Sequence, residues 1–149
     1  MIPGCGVDPP PRDFVVEVGG STRTPWQNGC DMAKYMLLIY GDAQQWDAMT
    51  PEQWQAHGEA HGAFNEAAGG KVVGGEQLEL AQTATTLRTD GTGSVLTTDG
   101  PFLETKEVLG GFYLLEAADL DEAIKLASRL PEVHAGHSGV EIRPVVDHG

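Results

Sequence analysis

Two histidines one helical turn apart are the residues of this sequence best suited to chemistry. His57 and His61 lie in TPEQWQAHGEAHGAFNEAAGG, residues 50–70, whose capping residues and apolar spacing predict a helix. At about 100° per residue, a helix places both histidines on one narrow stripe with Trp54 and Phe64. Because these two aromatic residues are the apolar anchors of the stripe, we expect both imidazoles to face the protein interior.

Three interpretations of this histidine pair are open. Each imidazole could be a hydrogen-bonded structural group beside the core. The i, i+4 spacing of His57 and His61 also suits two metal ligands, and His134 and His137 of the HAGH stretch could complete a site. A histidine held beside a carboxylate can alternatively transfer protons near neutral pH. Since no HExxH motif accompanies the pair, the sequence predicts no metal ligands.

Asp99 is the carboxylate that we expect to partner the histidine. It ends a predicted hairpin strand and is followed by Gly100 and Pro101, which turn the chain sharply. An Asp-Gly pair often caps a turn through its own backbone, and Asp90 at the hairpin tip fits that role. Asp99 instead leads into Phe102 and a charged pair, so we predict that it orients a catalytic imidazole.

Glu104 and Lys106 form this charged pair. Such pairs are usually solvated and contribute less than about 1 kcal/mol. The alternative is a substrate-binding role, in which Lys106 holds an anionic group near the histidine. In a chain with a formal net charge of −13, an anion needs a local positive group of this kind.

Hydrophobic periodicity and turn residues predict an α+β fold. The predicted elements are strand 34–41, helix 50–70, strand 71–78, hairpin 84–100, strand 110–117, helix 119–130 and strand 139–145. This β-α-β-(ββ)-β-α-β order is typical of a ferredoxin-like sandwich, with a mostly antiparallel sheet and two helices on one face.

The strands at 34–41 and 110–117 are apolar on both faces. Because two helices cover only one face of a sheet, the other face needs a partner. We therefore expect a homodimer that packs through the sheet face.

Composition narrows the class of protein. The chain has 149 residues, with 22 acidic and 9 basic side chains, and this charge disfavours binding to nucleic acid. No apolar run approaches the roughly 20 residues of a membrane span. The two cysteines, Cys5 and Cys30, allow one disulfide but fit a reducing compartment equally well, so we expect a cytoplasmic protein.

Residues 1–31 differ from the rest of the chain and contain five of its nine prolines. We interpret them as a disordered or loosely packed extension that precedes a single domain at 32–149. A sharper hypothesis is that Met32 is the natural start of the protein.

Several segments resemble the DGPF branch of the YCII-related family. They are KYMLLIYGD, HGAFNEA, LTTDGPFLETKEVLGGFYLLEA, DLDEAIKLA and VEIRPV, which together run from Lys34 to Val145. The resemblance implies a dimeric α+β barrel whose active site uses His61, in HGAF, and Asp99, in DGPF. His57 lies outside that pattern. Members of the branch also resemble modules linked to extracytoplasmic-function sigma factors.

The leading hypothesis is therefore a small enzyme in which a His61–Asp99 acid–base dyad acts on a small, anionic organic substrate by elimination, isomerisation or hydrolysis. No organic cofactor is implied. The alternative is a non-catalytic module that binds a small ligand or contacts a transcription factor through the same pocket.

Overall fold

The computed structural model of the protein describes residues 32–148. The predictions of a loosely packed extension at 1–31 and of a natural start at Met32 concern the region outside these residues. Among the described helices, none is both long and apolar enough to span a bilayer.

The described chain contains the strands β1 (Ala33–Asp42), β2 (Val72–Gln77), β3 (Thr85–Thr89), β4 (Val95–Asp99), β5 (Glu107–Ala117) and β6 (Ser138–Pro144). Four of them form the main sheet in the order β2-β5-β1-β6, and each neighbouring pair is antiparallel. The other two, β3 and β4, pair with each other as a separate hairpin. With the hairpin set aside, this strand order is that of the ferredoxin-like fold, so the predicted fold class is confirmed.

Four α-helices accompany the sheet in the described chain: α1 (Ala43–Asp47), α2 (Pro51–Ala68), α3 (Leu120–Ala127) and α4 (Pro131–His134). The long helix α2 begins with the predicted capping box, because Thr50 Oγ1 accepts from the Gln53 amide while the Gln53 side chain accepts from the Thr50 amide. It ends at Gly69, whose φ of 59° suits a residue without a Cβ.

The core lies between α2, α3 and one face of the sheet. Leu37 of β1, Leu115 of β5, Phe64 of α2 and Leu130 after α3 are its largest fully buried side chains. The remaining buried members are Tyr35, Ala68, Ala117, Ala123, Leu126 and Ala127. Because Phe64 fixes the core-facing side of α2, the histidines of the same stripe are carried to the edge of this core.

The opposite face of the sheet also carries apolar side chains. In β1 the buried residues Tyr35, Leu37 and Ile39 alternate with Met36, Leu38 and Tyr40, which are only partly buried in the single chain. A homodimer through this face stays a prediction.

Two short helices were not expected from the sequence. Both α1, with five residues, and α4, with four, are too short to show a helical period. The helix predicted at 119–130 is shorter in the structure, because α3 ends at Ala127 and Pro131 is the first residue of α4. Proline suits that position because the first helical N–H has no intrahelical partner.

Candidate functional site

Helix α2 brings His57 and His61 together at the edge of the core. Their ring centroids are 4.7 Å apart, and their Nε2 atoms are separated by 3.2 Å. Each side chain is about one-fifth exposed, with values of 20% and 19%. The predicted inward orientation is therefore confirmed for the two histidines and for the buried Phe64. It is wrong for Trp54, the other expected apolar anchor, which is 39% exposed.

Glu132 supplies the carboxylate at this histidine pair. Its Oε1 lies 2.8 Å from the Nε2 of His61 and 3.0 Å from the Nε2 of His57. The side chain is only 3% exposed, although it lies on the short helix α4. Ser138 Oγ donates to the Glu132 carbonyl at 2.9 Å and ties α4 to β6. The second carboxylate oxygen, Oε2, has no hydrogen-bond partner among the described residues.

Tyr113 engages the other ring nitrogen of His61. Its hydroxyl oxygen lies 2.8 Å from His61 Nδ1, and its ring packs 4.8 Å from that of Phe64. The hydrogen bonds are satisfied when both Nε2–H groups donate to Glu132 and the Tyr113 hydroxyl donates to His61 Nδ1. In that arrangement, Nδ1 is the basic nitrogen of His61.

The environment fixes the charge states of the neighbours of His61. Burial lowers the pKa of His57 below its usual 6.5, although the Glu132 carboxylate opposes this shift. Burial acts to raise the pKa of Glu132, but the hydrogen bond and charge of His61 outweigh it, so the pKa is lowered overall. Burial raises the pKa of Tyr113. At neutral pH the site thus holds a carboxylate, a phenol and a neutral His57.

The cluster of His57, His61 and Glu132 opens into a cavity of about 570 Å³, a size that suits a small molecule. Its walls combine apolar side chains with carboxylates, and none of the described lining residues is lysine or arginine. The main lining side chains are Trp46, Trp54, Leu109, Phe112, Asp47 and Glu79.

The wall formed by Trp46 depends on two glycines. The indole packs on the backbone of Gly41 and Gly110, and a Cβ added at Gly110 would lie 2.6 Å from two of its ring carbons. This close approach is possible only without a side chain at these positions. The absence of a side chain at Gly110 thus leaves room for the indole that forms this wall.

Asp99 is not among the hydrogen-bond partners of His61 in the described part of the chain. It is an exposed residue at the end of β4, where it pairs with Thr85 across the hairpin. The following turn is closed by the Gly100 amide, which donates to the Ala84 carbonyl at 2.7 Å. The structure thus brings His61 together with Glu132, while Asp99 is not among the residues that line the cavity. The His61–Asp99 dyad stays a prediction.

Glu104 and Lys106 are also exposed and lie outside the cavity lining. The Lys106 ammonium is 3.7 Å from Asp42 Oδ2, and its side chain is 82% exposed. Their predicted role in binding substrate stays a prediction.

Two site residues were missed from the sequence. Tyr113 could have been found, because it shares its face of β5 with the buried Leu115. Glu132 carried only the Pro-Glu signal of a helix start, which gives no indication of a contact with α2.

An antiparallel sheet with two covering helices and a His–His–Glu cavity defines a ferredoxin-like α+β domain with a candidate small-molecule site. Residues 33–148 match the YCII-related domain, so the chain belongs to the YCII-related family and the predicted family is confirmed. It is also similar to an uncharacterized protein, R00369, of Rhizobium meliloti (strain 1021), with 41% identity over 76 residues. That match covers 51% of this chain and 60% of the length of the relative.

Proposed function

We propose that the protein is an enzyme that transfers a proton to or from a small organic molecule held in the cavity. The observation that carries this proposal is the double anchoring of His61, whose two ring nitrogens lie 2.8 Å from Tyr113 and 2.8 Å from Glu132. A base oriented on one side by a carboxylate and contacted on the other by a hydroxyl has the parts of a proton relay.

Each residue has a distinct role in the relay. The Tyr113 hydroxyl passes its proton to Nδ1 of His61 as it takes a proton from the substrate. The imidazolium that forms is stabilised by the adjacent Glu132 carboxylate, which also holds the Nε2–H tautomer beforehand, as the acid of a catalytic triad does. In an isomerisation the proton returns along the same route to another carbon of the product, and in an elimination it is passed to the leaving group. In both cases the enzyme ends in its starting state.

The cavity lining favours an uncharged substrate with a large apolar part. Trp46, Trp54 and Phe112 supply apolar and aromatic surface, whereas Asp47 and Glu79 would repel an anion. This differs from the anionic substrate expected from the sequence. Elimination and isomerisation of a cyclic ketone, enone or lactone are reactions that a single proton relay serves.

The test is hydrogen exchange catalysed by metal-free protein in D₂O. A panel of uncharged cyclic ketones, enones and lactones is incubated with wild type or His61→Gln, and deuterium incorporation is followed by proton NMR. We expect exchange above the buffer rate for at least one compound, and a loss of about 100-fold or more in His61→Gln, the usual contribution of acid–base catalysis.

His134→Gln is the matched control for this assay, because His134 is exposed and contacts the Ser128 carbonyl outside the cavity. The proposal is wrong if no compound exchanges faster than in buffer, or if His61→Gln and His134→Gln exchange at the same rate.

A non-catalytic binding role is the second candidate, and the apolar wall around Trp46 is the observation that favours it. In that case NMR would show chemical-shift changes on addition of a compound without any deuterium incorporation.

A further inference from the structure

We propose that His57, His61 and Glu132 form a binding site for one divalent transition-metal ion, with zinc as the preferred ion. The binding itself stands on geometry alone. Its consequence, that the metal switches the relay off, rests on the proposed function.

The first argument is the convergence of three ligand atoms. The two histidine Nε2 atoms and Glu132 Oε1 form a triangle with sides of 3.2, 3.0 and 2.8 Å. Zinc holds nitrogen and oxygen ligands at about 2.0–2.2 Å, so tetrahedral ligands on one ion lie about 3.3 Å apart. Outward movements of the three ligand atoms by a few tenths of an ångström would therefore bring their separations to this value and allow the ion to bind.

The second argument is independent and concerns the other oxygen of Glu132. This side chain is 3% exposed, and its Oε2 has no hydrogen-bond partner among the described residues. A buried carboxylate oxygen without a partner is destabilising, because burial removes its hydrogen bonds to water and no hydrogen bond within the protein replaces them. A cation beside the carboxylate removes that cost by direct charge compensation.

The third argument is the support behind the ligands. A metal-bound histidine usually donates its second N–H to a hydrogen-bond acceptor, which fixes the tautomer. The Tyr113 oxygen at 2.8 Å from His61 Nδ1 is such an acceptor. The hydrogen bond from Ser138 Oγ to the Glu132 carbonyl holds the third ligand in place.

The ligand types select the metal. Two imidazoles and one carboxylate suit zinc and its transition-metal neighbours, whereas magnesium and calcium require mostly oxygen ligands. Three protein ligands also leave a coordination position open, which faces the cavity. His134 and His137, the residues considered from the sequence as completing ligands, are not part of this group.

A bound metal ion and the proton relay compete for the same imidazoles. As the ion takes both Nε2 atoms, each ring moves its proton from Nε2 to Nδ1, so no net proton is released from neutral histidines. The Nδ1 of His61 then donates to the Tyr113 oxygen and can no longer accept a proton. A bound ion thus inhibits the relay, and the site acts as a metal-sensitive switch.

The binding test uses full-length, tag-free protein stripped with a chelator and titrated with Co²⁺, followed by Zn²⁺. We expect the visible bands of tetrahedral cobalt at one equivalent and their loss when zinc displaces it. His57→Asn, His61→Asn and Glu132→Gln should each bind at least about tenfold more weakly, since even indirect support of a ligand contributes that much.

Two controls separate this site from other ligands of the chain. His137→Asn, and a Cys5→Ser/Cys30→Ser double variant, should keep wild-type affinity. A measurement on wild type alone avoids any variant that fails to fold: zinc should shift the ring ¹⁵N signals of two histidines, at Nε2. The proposal is overturned if cobalt gives no tetrahedral spectrum, or if the three ligand variants bind as wild type does.

The two proposals fail separately. Metal binding without deuterium exchange in the metal-free protein would remove the proposed function and leave the metal site. Deuterium exchange without metal binding would remove the metal site and leave the proposed function. Binding that leaves the exchange rate unchanged at saturating zinc would overturn the switch.

Discussion

His61 Nε2 and Glu132 Oε1 lie 2.8 Å apart although 71 positions separate the two residues in the chain. The contact joins the middle of α2 to the four-residue helix α4, and it depends on the turn between α3 and β6. Since Glu132 is buried and His61 is directed by the core-facing stripe of α2, the pair is positioned by the same packing that stabilises the fold. Changes at either residue should therefore affect both chemistry and stability.

Glu132→Gln should lower the exchange rate of the metal-free protein by about 100-fold or more, because the amide keeps the shape but no longer stabilises an imidazolium. The loss should exceed that in Asp99→Asn, whose carboxylate is exposed in the hairpin. Deuterium exchange in the two variants measures this directly. A larger loss in Asp99→Asn would instead support the dyad expected from the sequence.

Acidification should destabilise the metal-free protein in two steps. Folding lowers the pKa of both His57 and Glu132, so the unfolded chain binds more protons than the folded one. The contribution of His57 to the free energy of unfolding is complete above pH 6.5, the ordinary pKa of the group. It is lost as the pH falls toward the lower pKa that His57 has in the folded protein. The Glu132 contribution is complete above pH 4.5 and is lost below it in the same way.

Urea unfolding at a series of pH values measures both steps. His57→Gln should flatten the free energy of unfolding in the upper range and leave the lower step in place. A wild-type stability that rises on acidification from pH 6.5 would contradict the assignment.

Gly110→Ala should destabilise the protein by about 1–3 kcal/mol, the usual cost of overpacking. The new Cβ would lie 2.6 Å from Trp46 ring carbons, so the indole must move away from its position in the cavity wall. Gly62→Ala is the matched control, because that Cβ would meet nothing within 4 Å on the exposed side of α2. It should stabilise by about 0.5–1 kcal/mol through helix propensity.

Chemical denaturation followed by tryptophan fluorescence reports both free energies and the environment of the indole. Equal stability changes in the two glycine variants would show that the indole does not depend on Gly110.

The sequence was sufficient to predict the elements that carry strong local signals. Thr50 and Gln53 marked the start of α2, and the short apolar run at 34–41 marked β1. The direction of His61 followed from the same helical period. These predictions succeeded because each rests on contacts within a few residues of the chain.

The carboxylate partner could not be predicted in the same way. Glu132 lies on a helix too short to show a period, and its contact with His61 arises only when α3 and β6 fold back over α2. Asp99 was easier to single out because the Gly100-Pro101 pair after it marks a turn, whereas a long-range contact leaves no local signal in the sequence.

Tyr113→Phe separates the relay from simple packing. The ring should keep its position against Phe64, at 4.8 Å between centroids, while the hydroxyl beside His61 Nδ1 is lost. We expect a stability loss of only about 1 kcal/mol, the net contribution of one hydrogen bond. The exchange rate should nevertheless fall by about 100-fold or more, since the proton route to Nδ1 is broken.

Tyr40→Phe is the matched control, because Tyr40 belongs to β1 but does not line the cavity. Exchange and urea unfolding are measured on both variants. In Tyr113→Phe, zinc affinity should also fall by about tenfold, because His61 loses the acceptor for its Nδ1–H. An unchanged exchange rate in this variant would remove Tyr113 from the relay, since His61 would then take the proton directly from the substrate.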